Sequence, residues 1–362
     1  MDRRGFLKST SVAAALVATP GATAAAAAKP AAPAVNTAPR HLRFAMDWAP
    51  GVAGPADMAH RLALRVREAT AGRLQLTLDS AAELAKPCSV LAGDADCQHG
   101  CETEHISTHP ALAYFTGLPS SSGLSAEDLE TWLSHGGGQE LWDELAAGFG
   151  YKPFLAGHLG TASLLWTNRP LNHRDDFRDL RIASSGPAAD VARALGATPV
   201  AVPAHELPQA LQMGLADAVE FGATLNAMGA GLAQTAKLGY APGLSDSGMA
   251  VVLRIRLDVW DGLSSADRAV LATCASEAFR TCLSETRLSN AVLLKTLQSR
   301  HGLKLASLPE DVAAALPHVS EAVVADLSTY DELSQRINAS YMGFRRRRLE
   351  EQRTAPNALP TV

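Results

Sequence analysis

Five side chains able to hold a soft or borderline cation recur at two- and four-residue intervals: Cys97, His99, Cys101, His105 and His109. Thiolates and imidazoles at that spacing suit zinc or a related metal when one helical face presents them. Gly100 and Pro110 interrupt any such helix, so a disulfide or buried thiols are the favoured reading of the cysteines here. The chain has 5 cysteines, an odd number for an exported protein, so at least one lacks a partner within it. Cys274 and Cys282 share a strongly helical stretch, where their spacing puts them about 12 Å apart, too far for a bridge. The run His135-Gly136-Gly137-Gly138-Gln139 has the look of an oxyanion-binding glycine loop. No G-x-S-x-G nucleophile elbow accompanies it, so an enzyme is not expected, and the glycines read equally well as a tight turn before a helix.

These groups need a scaffold, and the hydrophobic pattern describes one. Residues 42–46 read as a strand. Met58, Leu62 and Val66 form one stripe of a helix that Gly72 ends, and 74–78 alternate as a second strand, a βαβ opening with parallel pairing. Ser125 followed by Asp128 caps a helix through Trp132, and Leu141, Leu145 and Phe149 share the face of the next. Strands at 163–167, 181–184, 198–202 and 217–221 alternate with helices opened by Pro187 and spanning 206–213. Residues 249–255 return the chain to the first lobe. A very long helix follows Ser264 and reaches Gly302. After a strand at 303–306, a single last helix is expected from about Ser320 to Glu351. Its apolar stripe of Val323, Leu327, Tyr330, Ile337, Tyr341 and Phe344 packs on its own body or on a second copy. The run Arg345 to Arg348 is read as a solvated basic end that complements the helix C-terminus.

Length and charge set the outer limits. At 362 residues the chain exceeds one compact core, which implies two lobes. The net charge of -5 has no basic half, which argues against nucleic acid as a partner. Asp2-Arg3-Arg4-Gly5-Phe6-Leu7-Lys8 precedes an uncharged, Ala-rich stretch and resembles a twin-arginine export signal, so the twin-arginine machinery is an expected partner and the periplasm the expected location. The expected division is a signal peptide over 1–28, an Ala/Pro linker over 29–40, the first part of lobe I over 41–162 and lobe II over 163–250. A return segment with the long helix over 251–318, the C-terminal helix over 319–352 and a tail over 353–362 complete it.

Several motifs then carry a family resemblance. His135 to Glu144 reads HGGGQELWDE, and His109-Pro110-Ala111 is followed by Phe115 and Pro119. Leu195 to Val200 reads LGATPV, Leu211 to Glu220 reads LQMGLADAVE, and Ser340-Tyr341 precede Phe344-Arg345. In this order they resemble the solute-binding proteins of TRAP (tripartite ATP-independent periplasmic) transporters, nearest the branch handling 2-oxoacids and other small carboxylates. The resemblance implies an α/β, two-lobed periplasmic-binding-protein-like fold with a cleft between the lobes and a long C-terminal helix. It also implies capture of a small-molecule solute without chemistry on it and delivery to TRAP membrane permease subunits, while the long apolar stripe from Val323 to Phe344 is the ground for expecting a homodimer through the last helix.

The pattern departs from the family at the ligand. The Arg that would clamp a carboxylate aligns with Ala183, and the cation-binding Gln with Ala162. Arg181 lies on the same strand face as Ala183 and is the nearest substitute, while Arg254 or Arg256 on the returning strand is the alternative. The family's Glu-Trp pair becomes Glu220-Phe221, and its aromatic run becomes Thr103-Glu104-His105. Trp166 aligns with a tryptophan near the cleft, and Asn226 with an asparagine that donates to a solute oxygen. The expected ligand-binding set is therefore Glu220, Phe221, Asn226, Trp166, Glu104, His105 and Arg181. Glu220, His105 and Cys101 are the set for a bridging metal cation. With no clamp, a simple 2-oxoacid is disfavoured unless a cation bridges it. The alternative reading is a diverged extracytoplasmic sensor or metal-binding protein on the same fold.

Overall fold

The computed structural model describes residues 38–48, 54–78, 89–119, 121–160, 163–244 and 248–354. The expected export signal, most of the linker, the C-terminal end of the tail and Cys88 lie outside these residues. From residue 39 onward the chain forms one compact unit.

The chain opens with β1 (Arg40–Met46), α1 (Pro55–Ala69), β2 (Leu74–Leu78) and β3 (Cys97–Gly100). Two 3-10 segments, Glu102–His105 and Pro110–Phe115, lead to α2 (Ala126–His135), α3 (Gly138–Ala147) and β4 (Tyr151–His158). Next come β5 (Ser163–Thr167), β6 (Arg181–Ala183), α4 (Gly186–Ala194), β7 (Thr198–Val200), α5 (Leu207–Gln212) and β8 (Ala218–Ala223). The short α6 (Thr224–Gly229), α7 (Leu232–Thr235) and β9 (Leu238–Tyr240) precede β10 (Ala250–Arg256). The remainder is α8 (Leu257–Asp261), α9 (Ser265–Arg300), β11 (Lys304–Ala306), α10 (Glu310–Ser328) and α11 (Glu332–Thr354).

Two sheets define two lobes. Lobe I holds a five-stranded sheet in the order β2-β1-β3-β10-β4, and lobe II a six-stranded sheet in the order β11-β9-β5-β8-β6-β7. The opening βαβ unit pairs β1 parallel to β2, with Phe44 opposite Leu78. The returning strand β10 runs antiparallel between β3 and β4. Pro153 sits in β4, which is tolerable because β4 is an edge strand.

Helix α9 ties the lobes together. Ser264 accepts the Asp267 N–H at its start, at 3.1 Å. Leu271, Cys274 and Ala275 then pack under the lobe I sheet, whereas Leu297 packs under lobe II. Cys97, Cys274 and Cys282 are buried thiols.

The single C-terminal helix expected from Ser320 to Glu351 is two helices, α10 and α11, separated between Ser328 and Glu332. Asp331 makes the break, its carboxylate accepting the Ser334 N–H at 2.7 Å as a side-chain cap for the second helix. The apolar stripe is filled from within. Leu327, Ile337, Tyr341 and Phe344 pack into the lobe I core and Val323 into that of lobe II, while Tyr330, at the break, is 58 % exposed. A second copy is therefore not needed to bury it, which removes the argument for a homodimer through this helix. Of the arginine run, Arg345 donates to the Ser121 carbonyl and Arg348 pairs with Asp128 on α2 at 2.7 Å.

The glycine run has a packing explanation. Phe115 stacks between Trp132 and Trp142, with ring centroids 5.5 and 4.9 Å away. A Cβ at Gly138 would lie 2.6 Å from the Trp132 ring, and Gly137 has φ 84°, so the turn admits neither a side chain at 138 nor an unstrained one at 137.

Candidate functional site: the cleft between the lobes

The strands that cross between lobes meet at a small cavity. Thr103, Thr116 and Gly117 line it from lobe I, and Ser163, Ser185, Pro187, Ala188, Glu220 and Gly222 from lobe II. Gly248 and Met249 close it where β10 begins. Its volume of about 60 Å³ is room for on the order of five water-sized groups. Four hydroxyl-bearing residues line it, Thr103, Thr116, Ser163 and Ser185, and Glu220 is the sole ionisable side chain in the lining among the described residues.

Glu220 reaches the cleft because β8 alternates: Val219 points into the lobe II core, so the next residue points out. One carboxylate oxygen accepts from Ser163 Oγ at 3.1 Å and the other from the Leu244 N–H at 3.0 Å. Gly243 makes the room, since a Cβ there would stand 2.7 Å from both carboxylate oxygens and 2.8 Å from Ser163 Oγ. On the opposite wall, Gly186 at the start of α4 touches lobe I, where a Cβ would meet Thr103 and Ile106 side chains at 3.1 Å. A Cβ at Gly248 would overlap the Gly160 carbonyl at 2.1 Å, so the two crossing segments are in direct contact.

Other residues expected at the site stand elsewhere. Arg181 is not a carboxylate clamp for solute: its guanidinium pairs with Asp217 through two hydrogen bonds of 2.9 Å, outside the cavity lining. Each holds the other charged, Asp217 well below and Arg181 above its ordinary pKa, and the bond between them is the leading cause on both sides. Trp166 is fully buried in the lobe II core rather than a cavity wall, and half-buried Phe221 packs against the same core. Asn226 is 1 % exposed behind Gly222. Its Oδ1 accepts the Ala223 N–H at 3.2 Å, and its Nδ2 has no partner among the described residues. The Glu104 side chain lies outside the described residues. Half-buried His105 has an Nε2 without a partner among the described residues, and burial followed by the nearby Arg254 charge lowers its pKa. Cys101 Sγ lies 3.1 Å from Met249 Sδ. Among the described residues no three His, Cys, Asp or Glu side chains converge as a metal site, so Glu220, His105 and Cys101 do not assemble as the expected set.

Neither alternative arginine takes over the clamp that Ala183 cannot supply. Arg256 pairs with Asp96 and Asp258 near the edge of lobe I. Arg254 is fully buried among Glu102, Asp47 and the Cys101 carbonyl. Ser163, Thr103, Thr116 and Ser185 are site residues that sequence reasoning missed. Only the pairing of β5 with β8, which sets Leu165 opposite Glu220 and so brings the start of β5 near it, pointed to Ser163. A lone Ser or Thr carries no comparable signal.

Two α/β lobes joined by crossing strands and one long helix, with a small cavity between them that carries one carboxylate, have the architecture of a solute-binding protein. The chain belongs to the bacterial extracellular solute-binding protein family 7, or DctP family, whose model matches residues 55–330. By that membership it is a periplasmic component of TRAP-type transport. A monocarboxylate 2-oxoacid-binding periplasmic protein of Nostoc sp. is 27% identical over 308 residues, 84% of each chain. A TRAP periplasmic solute-binding protein from Pseudoalteromonas atlantica, solved with sodium and pyruvate, superposes with TM-score 0.81 at 24% identity, over 88% of this chain and 98% of that one. A TRAP transporter solute-binding protein from Bordetella bronchiseptica, a mixed-occupancy dimer with co-purified calcium and picolinate in one site, gives 0.82 at 23% identity, over 88% and 95%. Among the described residues, no helix is long and apolar enough to cross a membrane.

Proposed function

We propose that the protein captures a small organic acid in the interlobe cleft as a complex with a metal cation, and delivers it to a TRAP membrane permease without acting on it chemically. One observation carries this reading: the ionisable group of the cavity lining is a carboxylate, Glu220, and no described lining residue is basic. A bare carboxylate beside half-buried Glu220 would meet a like charge, with no basic group in the described lining to offset it. A calcium or sodium ion between the two carboxylates reverses the sign of the interaction, and hard cations of this kind take oxygen ligands. Glu220 and the hydroxyls of Ser163 and Ser185 are the oxygen donors at hand. The sodium–pyruvate and calcium–picolinate sites of the structural relatives agree with the chemistry. The reading needs no second copy of the chain.

Native mass spectrometry of protein purified from periplasm tests this. The expected spectrum shows a mass increment equal to one metal ion plus one small carboxylate, both lost on chelation. Retention of an ammonium-bearing solute without metal would assign Glu220 to that cation directly and overturn the metal-bridged reading.

A further inference from the structure

The buried arginine that supplies no clamp has a different place in the molecule. Arg254 lies in the middle of β10, five residues past Met249 of the cavity wall, and is 0% exposed. Its Nε donates to Glu102 at 3.1 Å, an Nη donates to the Cys101 carbonyl, and the other Nη lies 3.6 Å from Asp47. Glu102, also 0% exposed, accepts from Tyr151 Oη at 2.9 Å. Asp47 in turn accepts from the Cys101 N–H at 3.2 Å and from the Gln98 side chain. Gly100 admits that carboxylate, since a Cβ would fall 1.5 Å from it.

Both backbone groups of Cys101 and the side chain of Glu102 are thus held by one cluster. The 3-10 turn they begin, Glu102–His105, is continued by a long Ile106 N–H to Thr103 carbonyl bond of 3.5 Å and by the Thr108 and His109 N–H groups on the His105 carbonyl at 2.9 and 3.2 Å. Thr103 of this turn lines the solute cavity and touches Gly186 of lobe II. A buried ion cluster is a weak source of stability compared with apolar residues of the same volume, and its best-attested use is to fix geometry.

We infer that Arg254 is a positioning residue for solute capture: with Glu102, Asp47 and Tyr151 it holds the Cys101–His105 turn at the height where Thr103 meets both the solute and the closing lobe. Two readouts test this. Hydrogen exchange of the amides of residues 101–106 needs no ligand. Calorimetric titration with pyruvate in calcium buffer rests on the proposed function above. Tyr151→Phe removes one hydrogen bond and keeps the ring. It should speed exchange in 101–106 about tenfold, leave the β1 and β4 amides unchanged, and weaken binding about threefold. Arg254→Met should go further, and Arg254→Lys should recover part of the loss. Should Arg254→Met fail to fold, Tyr151→Phe and Arg254→Lys decide. Unchanged exchange in 101–106 in both, or exchange rising equally across all of lobe I, overturns the inference. If the unaltered protein ignores calcium and pyruvate, that failure belongs to the proposed function, and exchange alone decides here.

Discussion

Glu220 lines the cleft cavity with its two oxygens held by Ser163 and the Leu244 N–H. Glu220→Gln keeps the shape and removes the charge, so it should weaken calcium-dependent pyruvate binding about 100-fold, the usual scale for a charge-assisted interaction inside a closed site. Titration of the variant checks this. His99 makes a second residue-scale prediction. Its Nδ1 accepts from Trp48 Nε1 at 3.0 Å, and burial, reinforced by the Arg254 charge, lowers its pKa to about 3. The unfolded chain, with an ordinary imidazole near ~6.5, binds the proton more readily. Stability should therefore be full above about pH 6.5 and fall by ~1.4 kcal/mol per unit as pH drops toward the folded value. Urea unfolding across that window should show a shallower fall in His99→Gln, by about one proton's worth. An unchanged slope would mean that the ring is charged in the folded protein.

At the scale of elements, α9 is the strut through both lobes, and its start depends on the Ser264 cap. Ser264→Ala should cost about 1 kcal/mol, read as a lower denaturation midpoint with unchanged solute affinity. The long helix after Ser264 was legible from its pattern, whereas the cap that Ser264 makes on the Asp267 N–H emerges with the fold. The opening βαβ unit and the cap at Ser125 were legible because each has a local cause. Three features were not. Strand β3 is Cys-Gln-His-Gly, with no β-forming pattern, and becomes a strand because β1 and β10 flank it. Strand β4 contains Pro153, which argues against a strand until its edge position is known. The break between α10 and α11 interrupts a stripe whose period continues through it, and a heptad pattern does not reveal a cap made by Asp331. The site divides likewise: Glu220 stood out as a carboxylate, whereas Arg181 is committed to Asp217 by pairing that only the fold creates.

For the whole molecule, the two lobes and crossing strands lead to the expectation that solute capture draws the lobes together. Small-angle scattering should show compaction when calcium and pyruvate are added together. Export is a separate property: replacing Arg3 and Arg4 by Lys should leave precursor in the cytoplasm, and normal periplasmic delivery would exclude the twin-arginine route. The central claim is that a metal cation supplies the positive charge that Ala183 and the pairing of Arg181 with Asp217 deny the cleft. Calorimetry with pyruvate, in calcium-containing and in chelated buffer, tests it most directly. Micromolar binding is expected with calcium, and a loss of at least 100-fold without it. Equally tight binding in chelated, metal-free buffer would contradict it.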